Sequence, residues 1–333
     1  DRTVNFNWIF ALPHPALDAN CFSVVWTGSV VMPRTMDGCI GLSTQDSMRL
    51  YVDDKLLIDG WGKDKSADQA LDFHFEAGRT YKIRIEFVND RRGARVIFGY
   101  SAGRENFPAA VEAARKADVA ILCMGDNEET SGEHFDRTDL NLPGRQLELV
   151  QAVYATGTPV VLVLQSGRPV TANWENDHLP AILEAWFPGE QGGTAIAKTL
   201  FGDAAPGGRL PITFPRSVGQ IPCHYSRRPG GGKRYVEMDW LPLYPFGYGL
   251  TYTTFAYRDM ALSRSVIDPQ DTVTVSVTVT NTGKYTGDAV PQLYVRDMFS
   301  SVVKPERQLA AFRRLTLAPG ESRRVELTVG PKQ

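Results

Sequence analysis

The chain has 333 residues, 43% hydrophobic and 22% charged, with a formal net charge of −2. This is globular composition with material for two or three domains. There is no basic excess to suit a nucleic-acid partner, and no apolar run approaches the roughly 20 residues of a membrane-spanning helix, so neither partner is expected.

The opening, DRTVNFNWIF, lacks both Met and the basic-then-apolar pattern of a signal peptide, and reads as the interior of a longer polypeptide. Four cysteines (Cys21, Cys39, Cys123, Cys223) are scattered without a CxxC pair or a His at zinc spacing. Cys123, inside the apolar run VAILCMG, reads as a small core residue. A Cys21–Cys39 bridge is left open, since both lie in the same β-rich region.

Residues 1 to 100 read as all-β. CFSVVWTGSVVM alternates, SMRLYVDDKLLIDG is two short strands about an Asp53-Asp54 turn, TYKIRIEFVND alternates from Tyr81 to Phe87, and ARVIFGY closes the set. Short strands with turn signals between them suggest a sandwich or barrel. FPAAVEAARKA then has helical spacing with an early Pro, and DVAILCMG is a buried strand. GRQLELVQAVYATG is a helix with Leu147, Val150 and Val153-Tyr154 on one face and Gly157 to stop it. TPVVLVLQSG and AILEAW are further strands, and GGTAIAKTLFG a further helix, which together imply an open, mostly parallel sheet covered on both faces. Residues 205–255 are rich in Pro, Gly and Tyr and read as irregular. From 261 the period returns to two, as in immunoglobulin-like sandwiches, but only about 70 residues remain against roughly 100 for a complete one, so both ends read as cut.

Ligands of open parallel sheets bind outside the carboxyl ends of the strands. Three loops leave strands there: 125–143, 165–170 and 187–192. The longest contains DNEETSGEHFDRTDLNLPGRQ, where six carboxylates (Asp126, Glu128, Glu129, Glu133, Asp136, Asp139) face only Arg137 and Arg145 as fixed cations. It can be a solvated acidic surface, a metal site, or the place where one carboxyl is tuned to move a proton. Other motifs fail on inspection. RRPGGGKRY lacks the first Gly and the final Ser or Thr of a P-loop. GYG at 247–249 lacks the third Gly of a dinucleotide fingerprint. Ser166 in LQSGR lacks the preceding Gly of a nucleophile elbow. His178 and His224 have no partner ligands, and residues 126–137 end in Arg where an EF-hand needs Glu. No metal or cofactor is expected.

The strings SGEHFDRTDLNLPGRQ, LQSGRPV, PAILEAWFPGEQGGTAIAKTLFGDAAPGGRLPITFP and PLYPFGYGLTYTTFAY resemble the second half of glycoside hydrolase family 3, which contains mainly β-glucosidases. VPQLYVRDMFSSVVKPERQLAAFRRLTLAPGES resembles the family's fibronectin-type-III-like domain. FSVVWTGSV, LYVDDKLLIDGW and GRTYKIRIEF resemble a PA14 domain, which some members carry inserted in the α/β domain. The resemblance implies a PA14-like β domain over 1–105, the family's α/β domain over 106–258, and a fibronectin-type-III-like sandwich over 259–333, each incomplete. It implies retaining hydrolysis of terminal β-D-glucosyl or related residues. An Asp nucleophile on a TIM-like barrel would attack the sugar, and a Glu from the α/β domain would act as acid and then base.

In related sequences that Glu precedes an aromatic-Asp-Arg run, as in GEGYDR. Here the string is GEHFDR, which puts the role on Glu133, with His134 where Gly is usual and Glu128 and Glu129 as competitors. Phe135, Asp136 and Arg137 are the substrate-binding candidates beside it, although Asp136 and Arg137 also suit an ion pair that pins the loop. Crowded carboxylates and the arriving sugar would raise the proton affinity of Glu133, and Gly132 would be a hinge.

No barrel is contained in the chain, so it would come from the same precursor or a second chain. Asp239-Trp240 follows KRYVEM rather than a barrel strand and is not the nucleophile. The PA14-like part would shape the aglycone end of the pocket. An extracellular or periplasmic location is expected. The alternative is a non-catalytic carbohydrate-binding module, with Trp8, Trp26 or Trp61 stacking on sugar.

Overall fold

In a computed structural model, the described residues are 4–8, 12–18, 21–44, 46–62, 69–90, 94–102, 107–128, 130–229 and 234–331. They fall into two units, Asp1–Asn106 and Phe107–Gln333.

In the first unit the strands are β1 (Asn5–Asn7), β2 (Phe22–Val31), β3 (Met36–Thr44), β4 (Ser47–Val52), β5 (Lys55–Asp59), β6 (Gln69–Phe75), β7 (Thr80–Asn89) and β8 (Arg95–Ala102). They form two four-stranded antiparallel sheets, ordered β1-β8-β3-β6 and β2-β7-β4-β5. The alternation in β7 buries Tyr81, Ile83, Ile85 and Phe87. The first three join Ile40, Leu42 and Phe75 of the other sheet in one core cluster. Asp53 and Asp54 both have positive φ, 48° and 64°, the geometry that a two-residue hairpin with the right-handed strand twist demands. Asp53 tolerates it because its carboxylate accepts the Lys82 amide at 2.9 Å.

The second unit starts with α1 (Pro108–Arg115), β9 (Ala120–Gly125), α2 (Gln146–Tyr154), β10 (Val160–Gln165), α3 (Asn173–His178), β11 (Ala181–Glu184) and α4 (Gly192–Leu200). The strands form a parallel sheet in the order β11-β10-β9, with Leu162 opposite both Leu122 and Ile182. One face packs Val160, Leu162 and Leu164 against Val150 and Val153 of α2 and against Ala114 of α1. Gly157, at φ 83°, ends the chain segment after α2 in the left-handed region that glycine adopts without strain.

On the other face β9 stays open. Ile121 is 44% exposed and Cys123 is exposed as well, so Cys123 is not the core residue its apolar neighbours suggest. β9 is an edge strand, and an apolar run does not distinguish an edge from a centre. Cys21 and Cys39 do not form a disulfide.

The described residues of 205–254 hold one short 3₁₀ turn, Val218–Gln220, and a bridge between Phe214 and Tyr244. There follow β12 (Phe255–Leu262), β13 (Val273–Asn281), β14 (Gly287–Ala289), β15 (Gln292–Val295), β16 (Gln308–Phe312), β17 (Leu315–Leu317) and β18 (Ser322–Val329). They pair as β12-β13-β18, β14-β17 and β15-β16 around Val279, Ala289, Leu315, Leu317 and Val325. β12 straddles position 258.

Candidate active site

The acidic loop leaves the carboxyl end of β9, where backbone geometry fixes its first step. Gly125 has φ 141°, and a Cβ there would lie 1.9 Å from the carbonyl oxygen of Gln165 on β10. Only glycine fits so close an approach. The Gln146 side chain, at the start of α2, grips the same residue twice: Gly125 N–H donates to Oε1 at 2.7 Å and Nε2 donates to Gly125 O at 2.8 Å. Asp126 N–H donates to Gln165 O at 2.9 Å.

The next side chain turns inward. Asp126 is 2% exposed at its side chain. Ser166 Oγ lies 2.7 Å from Oδ2, and Thr130 Oγ1 3.0 Å from Oδ1. Two guanidiniums flank it, Arg137 Nη1 at 3.4 Å from Oδ1 and Arg168 Nε at 3.8 Å from Oδ2. Arg137 also donates to Asp139 Oδ1 at 3.1 Å and to Asn141 O at 3.0 Å. Ser166, fully buried, receives the Arg168 amide on the same hydroxyl at 3.2 Å. The pit lined by Asp126, Arg137, Ser166 and Arg168 leaves no water-sized volume, so it is a packed junction and not a ligand pocket.

Glu133 stands at the opposite pole of the loop. Its side chain is 91% exposed, and its one ion-pair contact among the described residues is His134, Nε2 to Oε1 at 3.8 Å. The loop's carboxylates therefore do not act as one cluster: Asp126 and Asp139 are taken by arginines, while Glu133 and Glu128 are open to solvent. His134, in the position where related sequences carry glycine, has φ 67°. Gly132 has a packing reason, since a Cβ there would come within 3.1 Å of the Phe135 ring. Phe135 is half-buried against it, Asp136 is exposed, and Arg137 is half-buried and paired with Asp126 and Asp139 rather than with Asp136. Glu129 lies outside the described residues, as does the glycine-rich 230–233 stretch.

Two strand ends further along, Glu184 closes β11. Its Oε1 accepts the Trp186 amide at 2.9 Å, and its buried Oε2 has no hydrogen-bond partner. Desolvation pushes its pKa up to about 7. Trp186 itself has φ 54°, costly for a bulky side chain. Neither Glu184 nor the Asp126 junction is signalled by any motif. An acidic residue at or just beyond the carboxyl end of a strand is the one feature that could have marked both.

The three tryptophans that could stack on a sugar are not in one place. Trp8 and Trp26 stack on Phe6 and on each other inside the first unit, with centroids 5.1, 5.7 and 6.0 Å apart. Trp61 is 39% exposed, and the Arg49 guanidinium lies 4.7 Å from its ring centroid.

Residues 24–252 match the glycosyl hydrolase family 3 C-terminal domain, and residues 289–333 a fibronectin type III-like domain. A beta-xylosidase of Formosa agariphila is 47% identical over 75% of the chain, which spans 36% of that protein. A periplasmic beta-glucosidase of Salmonella typhimurium is 45% identical over 66% of the chain and 30% of its own length. A beta-glucosidase of Rhizobium radiobacter is 36% identical over 98% of the chain and 44% of its own length. The beta-glucosidase of Kluyveromyces marxianus, solved in complex with glucose, superposes with a TM-score of 0.73 at 29% identity, over 99% of this chain and 42% of that one. The chain thus spans less than half the length of these relatives. With one family match running over residues 24–252 and a second, fibronectin type III-like match behind it, the chain belongs to glycosyl hydrolase family 3.

Proposed function

We propose that this chain is the acid/base-bearing part of a retaining glycoside hydrolase that removes terminal β-D-glucosyl or related residues, with Glu133 as the proton donor. The observation that carries the reading is the contrast within one loop: Asp126 and Asp139 are neutralised by arginine, while Glu133 is free at the carboxyl edge of the sheet. A general acid needs a proton it can release to the leaving oxygen and must be withdrawn from water to hold it. In this chain the side chain is 91% exposed, so the surface that dries it has to face it from outside.

Retention needs a second carboxylate about 5 Å away as nucleophile, on a barrel of the same precursor or of a second chain. In the first step Glu133 protonates the departing oxygen as the nucleophile forms the glycosyl ester. In the second Glu133, now a carboxylate, takes a proton from the water that cleaves the ester. Phe135 beside it offers an aromatic edge to the sugar. The relatives named beta-glucosidase and beta-xylosidase support this substrate class, and the periplasmic Salmonella relative supports a location outside the cytoplasm.

The test is Glu133→Ala in the complete enzyme. Turnover of a glucoside with a poor leaving group should fall on the order of 10²–10⁴-fold, the usual contribution of general acid catalysis. An activated aryl glucoside should retain far more of its kcat/KM, and added azide should raise its kcat by standing in for the missing base step. Unchanged turnover on both substrates would falsify the assignment.

A further inference from the structure

We infer that Asp126 is the positioning residue for Glu133, fixing the loop that carries it to the ends of β9 and β10. The inference rests on the reading of Glu133 as acid/base. Asp126 does not face the substrate side: its side chain is 2% exposed, beneath the loop it holds. What it binds is informative. Thr130 lies three residues before Glu133 and Arg137 four residues after it, and both reach the same oxygen, Oδ1, at 3.0 and 3.4 Å. The other oxygen, Oδ2, faces Ser166 at 2.7 Å and Arg168 Nε at 3.8 Å, both on the segment leaving β10.

One carboxylate therefore ties the two limbs of the turn to each other and to the neighbouring strand end. Between the two tethers, Ser131 is held by its amide to Asn127 O at 3.0 Å and by Arg168 Nη2 on its hydroxyl at 3.4 Å, and beyond it the described residues of the turn that carries Glu133 show one backbone bond, Phe135 N–H to Gly132 O at 3.2 Å. The reach of Glu133 is thus set at its base. Both guanidiniums meet this one buried carboxylate, Arg137 dividing itself between it and Asp139, so the negative charge at 126 is what draws the limbs together. A neutral amide at 126 keeps the shape but serves two cations with one weaker acceptor.

The test uses the complete enzyme with Asp126→Asn, and Ser166→Ala as a milder second variant that removes only the tether to β10. Each is assayed on two β-glucosides that differ in leaving group, one alkyl and one dinitrophenyl, reading kcat/KM, which reports the bond-breaking step. A misplaced acid penalises only the substrate that needs a proton. For Asp126→Asn, kcat/KM on the alkyl glucoside should fall on the order of ten- to a hundredfold, the effect of a displacement of about 1 Å, with little change on the dinitrophenyl glucoside. Ser166→Ala should show the same split at smaller size.

A merely structural role would lower both substrates alike in both variants, and that outcome, or no loss on either, overturns the proposal. Glu133→Ala run in parallel separates the two claims. If it shows no leaving-group split, the assignment of Glu133 itself fails. If it shows one and the Asp126 and Ser166 variants do not, only the positioning role fails.

Discussion

Asp126 and Glu184 occupy comparable places, at the carboxyl ends of the two outer strands of one three-stranded sheet, yet their surroundings differ. Asp126 is met by two hydroxyls and two guanidiniums. Glu184 is met by one backbone amide, and its second oxygen is buried with nothing to accept from. A buried carboxylate without a cation holds its proton, which is why burial carries Glu184 up to about 7. The difference separates a charge that organises a loop from an acid that tolerates its site only when neutral.

Breaking the first half of that comparison should have the largest effect. Arg137→Met keeps the aliphatic stem and deletes one of the two cations over a carboxylate that stays buried. The deletion leaves buried Asp126 with only Arg168, 3.8 Å away, and strips Asp139 of its cation, so a loss of about 3 kcal/mol is expected in urea unfolding at neutral pH. A loss no larger than the roughly 0.5 kcal/mol typical of exposed pairs would mean that Arg168 and the hydroxyls suffice alone.

Glu184→Gln should have a pH-dependent effect, absent near pH 4 and comparable in size only above pH 7. The unfolded carboxyl titrates near 4.5 and the folded one near 7. Below 4.5 both states are protonated and Glu184 contributes no penalty. As pH rises from 4.5 towards 7, the unfolded chain ionises first, and stability is lost until the folded group ionises too. Glutamine removes that slope and still accepts from Trp186 N–H. The variant should match the parent near pH 4 and exceed it above pH 7 by up to about 3 kcal/mol. A difference that stays flat from pH 4 to pH 8 would show that Glu184 is solvated or paired after all.

Much of the scaffold could be read from the residues. The alternation of β7, the Asp53-Asp54 turn and the apolar stripe of α2 each encode a local geometry with one low-energy solution. α3 is not legible in the sequence because NWENDH is six polar-rich residues without an apolar stripe. The open face of β9 was hidden for another reason: whether a strand is central depends on how many strands flank it, which no local pattern records. The acidic loop was the hardest case. Six carboxylates adjacent in sequence look like one cluster, but the partners that sort them, Ser166 and Arg168, lie 40 residues or more away. Glu133 came from the GEHFDR string rather than from any electrostatic signal.

The smallest expected effect sharpens the contrast between the loop's base and its tip. His134 sits at φ 67° with its side chain 90% exposed, so it carries backbone strain and little packing in return. His134→Gly should relieve about 1 kcal/mol of left-handed strain, offset in part by the greater freedom of glycine in the unfolded chain. The net gain should be a few tenths of a kcal/mol, since the His134–Glu133 contact at 3.8 Å is exposed and screened. That gain has a diagnostic context. If the tethers at Asp126 impose the tight turn, loosening them with Arg137→Met lets residue 134 relax, and His134→Gly should then add nothing. A double-mutant cycle reads this directly as a coupling between residues 134 and 137. Equal gains in both backgrounds would mean that the turn at 132–135 holds its own shape, independent of what anchors the loop below it.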